Sequence, residues 1–229
     1  MIKLLNKASK DALTISCESG HYLKWKSKTG AELWLHLDNN NEITGLNPFY
    51  SGESNFPVGI IKRIQREDDN EFEGAFYGWA NPQKNEPETG FYPFVFDCVN
   101  IAANNIILPC IINVKLSAFA HEIDIFVDED DFKLHQRVDT PIASKCFIPS
   151  GTFGNEPFEL RPEAIFTGII LNYKLLTNEL TNKKFYWIKT ETFGGIIDVV
   201  VDPDLIRRKI KINGVISGSF YLCGKIIET

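Results

Sequence analysis

The sequence predicts a mainly β protein built from two related β units in tandem. One observation is an internal echo: Gly59-Ile60-Ile61 and Gly168-Ile169-Ile170 are each followed, after fourteen residues, by a Phe-Tyr pair, Phe76-Tyr77 and Phe185-Tyr186. The other is a succession of short alternating segments separated by Gly, Pro and Asn turns, a pattern typical of strands. Because self-similarity at a fixed interval indicates a repeated structural unit, we expect an all-β fold with an internal duplication.

A further block extends the echo. Gly90–Asp97 resembles Gly195–Asp202, and the offset falls from 109 to 105 residues within the polar stretch Asn81–Glu88, where a loop insertion costs little. Only five identities relate Gly59–Trp79 to Gly168–Ile188. Two unrelated stretches of ordinary β patterning therefore remain the alternative.

Composition agrees with a globular β protein. The 229 residues are 44% hydrophobic and 24% charged, which excludes wholesale disorder and allows one large or two smaller cores. Seventeen Phe, seven Tyr and four Trp against a single Met favour strands, because aromatic side chains suit a pleated surface.

In the first half, alternation predicts strands over Glu32–Asp38, Val58–Arg66, Phe72–Ala80, Phe91–Asp97, Ile106–Phe119 and Ile123–Val127. Loops are predicted at Asn47–Gly52 and Asn55–Pro57, and an acidic turn at Asp128–Asp131. Helix is expected only at Met1–Ala12, Asn100–Asn105 and Pro203–Lys209.

The second half shows the strand pattern more sharply. Strands are predicted over Ile165–Leu176, with a kink at Gly168, and over Lys184–Thr192, Ile196–Val201 and Val215–Ile227. Asp202 is expected to cap a short helical turn with Pro203 in its first position.

Three strands, a helical connector and two more strands is the order of an OB-type barrel, and the block from Ile165 to Ile227 resembles that fold in spacing and glycine placement. The resemblance is architectural, and the first unit fits the same template more loosely. We predict an N-terminal β unit with an arm (1–130), an irregular connector (131–157) and a C-terminal OB-like barrel (158–229).

Charge is unevenly distributed. The net charge of −6 makes nucleic acid an unlikely partner, because neutralising phosphates needs a basic surface. Basic residues cluster in the first thirty positions, including Lys24, Lys26 and Lys28, and again at Arg207–Lys211. The acidic residues of the middle segment could contact a basic protein partner: Glu122, Asp124, Asp128, Glu129, Asp130 and Asp131.

Aromatic side chains are the candidate ligand contacts, because rings on one face of a β barrel can stack against an extended ligand. The candidates are Tyr77, Trp79, Tyr92, Tyr186 and Trp187. Alternation implies that about half of such rings point into a core, so core packing is the competing interpretation.

No catalytic or metal-binding motif is present. The four histidines show no HExxH spacing, and there is no CxxC pair, GxSxG or phosphate-binding glycine loop, so we predict no cofactor and no metal. The predicted function is a non-catalytic binding or interaction protein that engages a protein or an extended polymer through a β face. The alternative is a hydrolase or transferase in a cleft between the units, using residues such as His121, Asp124, Asp198 and Arg161.

Five scattered cysteines argue against a disulfide framework. The N-terminus lacks the apolar core of a signal peptide, and no stretch is long enough to span a membrane, so a cytoplasmic location is expected. The sequence predicts no oligomeric state.

Overall fold

The computed structural model describes residues 8–9, 11–136, 141–150 and 160–227. A mainly β fold is confirmed: the described residues form thirteen strands in two sheets. The N-terminal sheet contains β1 (Leu13–Cys17), β2 (Gly20–Lys26), β3 (Ala31–Asp38) and β4 (Ile43–Tyr50). The larger sheet contains β5 (Phe56–Ile64), β6 (Ala75–Ala80), β7 (Pro93–Cys98), β8 (Cys110–Phe126), β9 (Cys146–Pro149), β10 (Glu163–Thr177), β11 (Lys184–Thr192), β12 (Gly195–Val201) and β13 (Val215–Ile226).

The N-terminal sheet is an antiparallel meander in the order β1-β2-β3-β4. The loop predictions at Asn47–Gly52 and Asn55–Pro57 were wrong for most of their residues, since β4 continues to Tyr50 and β5 begins at Phe56, which leaves only Ser51, Gly52 and Asn55 outside strands. Pro48 is compatible with β4 because this strand lies at a sheet edge, where a missing N–H donor removes no ladder bond.

The larger sheet contains two strand quartets with the same pattern of pairing. In each quartet the first three strands form an antiparallel meander, and the first also pairs antiparallel with the fourth: β5 with β8, and β10 with β13. The third strand of each quartet pairs in parallel with the fourth strand of the other: β7 with β13, and β12 with β8. Because β8 and β13 also pair with each other, the ladders form two closed circuits that share these strands.

The two larger apolar cores follow from this topology, and a small third cluster joins Trp25 of β2 to Leu180. The main core fills the circuits, and its rings stack closely: the centroids of Phe166 and Phe220 lie 3.9 Å apart. A second core joins the two sheets, where Tyr22 and Trp34 from the N-terminal sheet pack with Cys223 of β13. The N-terminal sheet is therefore fixed against the middle of the larger one.

Helix is scarce in the described residues: Ala8 and Ser9, helix α1 (Glu129–Leu134) and two single 3₁₀ turns, Ile101–Ala103 and Pro203–Leu205. The predicted cap is confirmed, because the Asp202 carboxylate accepts a bond from the Asp204 N–H. The acidic turn at Asp128–Asp131 was wrong in kind: Asp128 is the N-cap of α1, and three carboxylates in the first turn suit the positive end of the helix dipole.

Two further predictions concern the kink in β10 and the segments outside the two β units. The irregularity of β10 lies between Ile170 and Asn172 rather than at Gly168. Gly168 instead permits close approach of β11, since a Cβ there would lie 2.4 Å from Thr190 Cγ2. The arm Met1–Ala12 falls largely outside the described residues, whereas the described parts of the connector 131–157 contain the end of α1 and the strand β9. None of the described helices has the length and apolarity needed to cross a membrane.

Candidate functional site: a groove between the two sheets

A depression lies where the N-terminal sheet meets β8, β11 and β12. Two pockets, of about 380 Å³ and about 330 Å³, share the side chain of Tyr50, the last residue of β4. Pockets of this size accept small ligands or single side chains of a larger partner. We call the two together the inter-sheet groove.

The first part of the groove is the aromatic pocket. Aromatic rings form its wall, and two lysines also line it. Phe49, Tyr50, Phe119 and Phe185 line it, and the Tyr50 and Phe185 centroids are 5.8 Å apart in an edge-to-face arrangement. Burial, followed by the nearby Asp198 carboxylate, raises the pKa of Tyr50, so its phenol stays neutral at physiological pH. The lining lysines are Lys183 and Lys184.

The second part, the lysine pocket, lies on the other side of Tyr50. Its lining includes Lys26 and Lys28 from the N-terminal sheet and its turn, and Lys174 from β10. The Lys174 ammonium lies 5.2 Å from the Trp187 ring centroid, within cation–π distance. This pocket is therefore cationic, although the chain as a whole carries −6.

Buried Asp198 anchors the wall of the groove. Its carboxylate accepts bonds from the Ser54 N–H (2.7 Å), the Glu53 N–H (3.0 Å) and the indole Nε1–H of Trp187 (2.7 Å). The Gly52 backbone lies so close to this carboxylate that a Cβ at residue 52 would be 2.3 Å from the carboxyl carbon of Asp198. Because the carboxylate is buried and binds three donors, two of them backbone N–H groups of residues 53 and 54, Asp198 holds the loop before β5 in place.

A buried ion pair joins the two sheets beside the groove. Glu32 of β3 accepts two bonds from the Lys225 ammonium of β13, at 2.7 and 2.8 Å, and one from the Trp34 indole at 3.0 Å. Lys225 also donates to the Ser51 hydroxyl. Burial lowers the pKa of Lys225 to about 8, against the opposing effect of Glu32.

The predicted ligand-binding aromatics do not gather in one place. Tyr77 and Trp79 are half-buried on β6, where Lys62 lies over the Tyr77 ring. Tyr92 is buried, stacks on Phe147 at 4.5 Å and donates its hydroxyl proton to the Phe193 carbonyl.

On β11, Tyr186 is half-buried against the main core, and Trp187 is buried beneath Lys174 at the lysine pocket. Of the five, only Trp187 lines the groove. Ligand binding by these residues remains a prediction.

The predicted acidic partner surface is divided between two roles. Glu122, Asp124, Glu129 and Asp130 are exposed, whereas Asp128 caps α1. The remaining carboxylate, Asp131, accepts the Val127 N–H and pairs with Arg208 at 2.8 Å. Those contacts lower the pKa of Asp131. The basic cluster at Arg207–Lys211 thus supplies an intramolecular counter-charge to the end of the acidic segment.

The residues considered for an enzymatic cleft are not brought together. His121 is the exposed extra residue of a bulge in β8, and Asp124 is exposed farther along that strand. Arg161 lines a separate pocket of about 490 Å³ with Arg66 and Tyr221. Within the described ranges, no group of three or more His, Cys, Asp or Glu side chains is arranged to hold a metal ion.

Sequence reasoning missed the groove. The sequence did not indicate its rings or its lysines as site residues, because they are far apart in the chain: Phe49, Tyr50, Phe119, Lys174, Lys183 and Lys184. The lysine-rich character of the first thirty residues was the one available signal. Comparisons with models of protein families, with curated proteins and with solved structures found no match.

Proposed function

We propose that this chain is a non-catalytic binding protein whose partner is an extended polypeptide segment, and that the partner inserts an apolar side chain into the aromatic pocket. The observation that carries the proposal is the four-ring lining of Phe49, Tyr50, Phe119 and Phe185, accompanied by lysines. An apolar wall with a few polar groups is the usual form of a recognition pocket.

The titratable groups of the aromatic pocket favour binding over catalysis. Among the described residues that line it, there is neither a His nor a Cys; of its two carboxylates, Glu32 is bonded to Lys225 and Asp202 caps the 3₁₀ turn that follows it. Lys183 and Lys184 would attract carboxylates flanking the inserted side chain. The preferred partner is therefore an acidic segment with an apolar anchor.

A phage-displayed peptide library, selected on the purified protein, tests this proposal. We expect enriched peptides with an aromatic or large aliphatic residue flanked by Asp or Glu, and at least tenfold weaker binding to Phe185→Ala. Phe91→Ala is the matched control, because Phe91 is an exposed ring that does not line the groove. Peptides that bind the Phe185→Ala variant as tightly as the unaltered protein would refute the site.

We also propose that the two strand quartets arose by duplication and form OB-like barrels. Phe76 of β6 and Phe185 of β11 occupy the middle strand of their respective triplets, which supports the duplication. Each circuit contains five strands with one parallel pair, which supports the barrel interpretation. In this proposal each barrel takes its fifth strand from the other half of the chain, so the 131–157 boundary separates quartets rather than barrels.

A reducing compartment such as the cytoplasm is the proposed location. All five cysteines are unpaired, and Cys98 and Cys223 are buried, as in proteins from such compartments. Burial raises the pKa of both thiols, which keeps them protonated and inert.

A further inference from the structure

The lysine pocket concentrates positive charge that its surroundings only partly neutralise. Lys26 lies 3.9 Å from Glu32, but that carboxylate already receives two shorter bonds from Lys225. Within the described residues, no carboxylate oxygen lies within 4 Å of the Lys174 ammonium; its partner is the Trp187 ring. Lys174 is therefore available to bind an anion.

The carboxylates near the pocket are already engaged. Glu53 lines it and pairs with Lys189 at 2.9 Å, and this partner lowers the pKa of Glu53, with Lys174 and Lys115 adding to the effect. Glu179 accepts the backbone N–H of Lys28. Lys115 donates to the Gly52 carbonyl rather than to a carboxylate, so its charge adds to the positive potential.

The Ser51 hydroxyl group and the volume of the lysine pocket also suit an anion. Ser51 accepts a bond from Lys225, which leaves its own proton free to donate toward the pocket that it lines. The volume of about 330 Å³ accommodates an anion of diphosphate size beside the three lysines. Tyr50 of β4 and Trp187 of β11 wall the site from the two sheets, and the three lysines lie exposed around it, where a ligand can reach them from solvent.

We propose that the lysine pocket is a binding site for a small multivalent oxyanion, held by Lys26, Lys28 and Lys174. A phosphate-bearing ligand and a polycarboxylate share this chemistry. The site is distinct from the aromatic pocket and does not depend on the proposed peptide ligand.

Isothermal titration calorimetry with sodium pyrophosphate at constant ionic strength tests the site, with tricarballylate in a parallel titration. We expect saturable binding that weakens as NaCl is raised, and at least a fivefold loss of affinity in Lys174→Gln and in Lys26→Gln. Tighter binding of pyrophosphate would identify a phosphate ligand, and tighter binding of tricarballylate a carboxylate ligand; either supports the site.

Lys62→Gln is the matched control. Like Lys174, Lys62 lies on the first strand of its quartet over a ring of the second strand, 5.4 Å from the Tyr77 centroid, but it does not line the pocket. Thermal unfolding monitored by circular dichroism will verify that each variant is folded. Equal affinities for Lys174→Gln, Lys62→Gln and the unaltered protein, or no binding of either anion, would overturn the proposal. Phe185→Ala should retain pyrophosphate binding, which separates this result from failure of the aromatic pocket.

Discussion

Removing one partner of the Glu32–Lys225 pair should destabilise the protein far more than removing both. The closest contact is 2.7 Å, and the Glu32 side chain is fully buried. Two unit charges at that distance attract by about 6 kcal/mol at an effective dielectric constant of about 20, but desolvation offsets most of this gain. Leaving one buried charge without its partner typically costs about 3–5 kcal/mol.

The two single substitutions should differ. Lys225→Met leaves Glu32 with the Trp34 indole and with Lys24 at 3.7 Å, so we expect a loss of about 3 kcal/mol. Glu32→Gln removes the carboxylate bound to Lys225 and leaves three ammonium groups close together. We expect this change to cost about 4–5 kcal/mol.

Urea unfolding at pH 7, followed by circular dichroism, measures the free energy of unfolding of the single and double variants. The double variant should lose only about 1 kcal/mol, because no buried charge is left unpaired, and the cycle should report a large coupling energy. Additive losses in the double variant, or single losses below about 1 kcal/mol, would show that the pair does not fasten the sheets.

Three other outcomes are expected. Asp198→Asn should lower the free energy of unfolding by about 2–3 kcal/mol in urea titration, because an amide cannot accept all three donor bonds; a change within error would contradict its anchoring role. Burial lowers the pKa of His36 to about 4, and among the described residues neither ring nitrogen has a hydrogen-bond partner. As the pH falls, this imidazole therefore binds a proton in the unfolded state before it does so in the folded state. Stability should therefore drop by about 2 kcal/mol between pH 7.5 and 5, and His36→Gln should lack this drop. A chain ending at Gly214 should fail to unfold cooperatively, because it lacks β13, which pairs with β7, β8 and β10; a cooperative calorimetric transition near the full-length midpoint would contradict this expectation.

The strands of the second quartet could be predicted closely from the sequence, since alternation and glycine turns mark their ends: β11 spans the predicted Lys184–Thr192. In the N-terminal sheet β3 was predicted as Glu32–Asp38, but the end of β4 was predicted as a loop, because Asn47 and Pro48 are typical turn residues. Helix α1 was missed because its six residues are too few to show helical periodicity.

The groove was beyond prediction for a different reason. The rings of Tyr50 and Phe185 are in contact although 134 residues lie between them in the chain. No local spacing encodes a contact that only the completed sheets create. Asp198 was singled out from the sequence as a candidate catalytic carboxylate. Its role as an anchor depends on backbone N–H groups that a side-chain pattern cannot reveal.

The sharing of β8 and β13 between the two circuits has a consequence for synthesis on the ribosome. The circuit that contains β5, β6 and β7 cannot close until β13, the last strand of the chain, has been translated. Until then β8 presents unpaired backbone groups along the part that later meets β13, an edge to which other nascent chains could add. Since five pairings of the larger sheet join strands that are far apart in the chain, the protein should fold slowly, and cells that produce it should benefit from chaperones that shield β8 during translation.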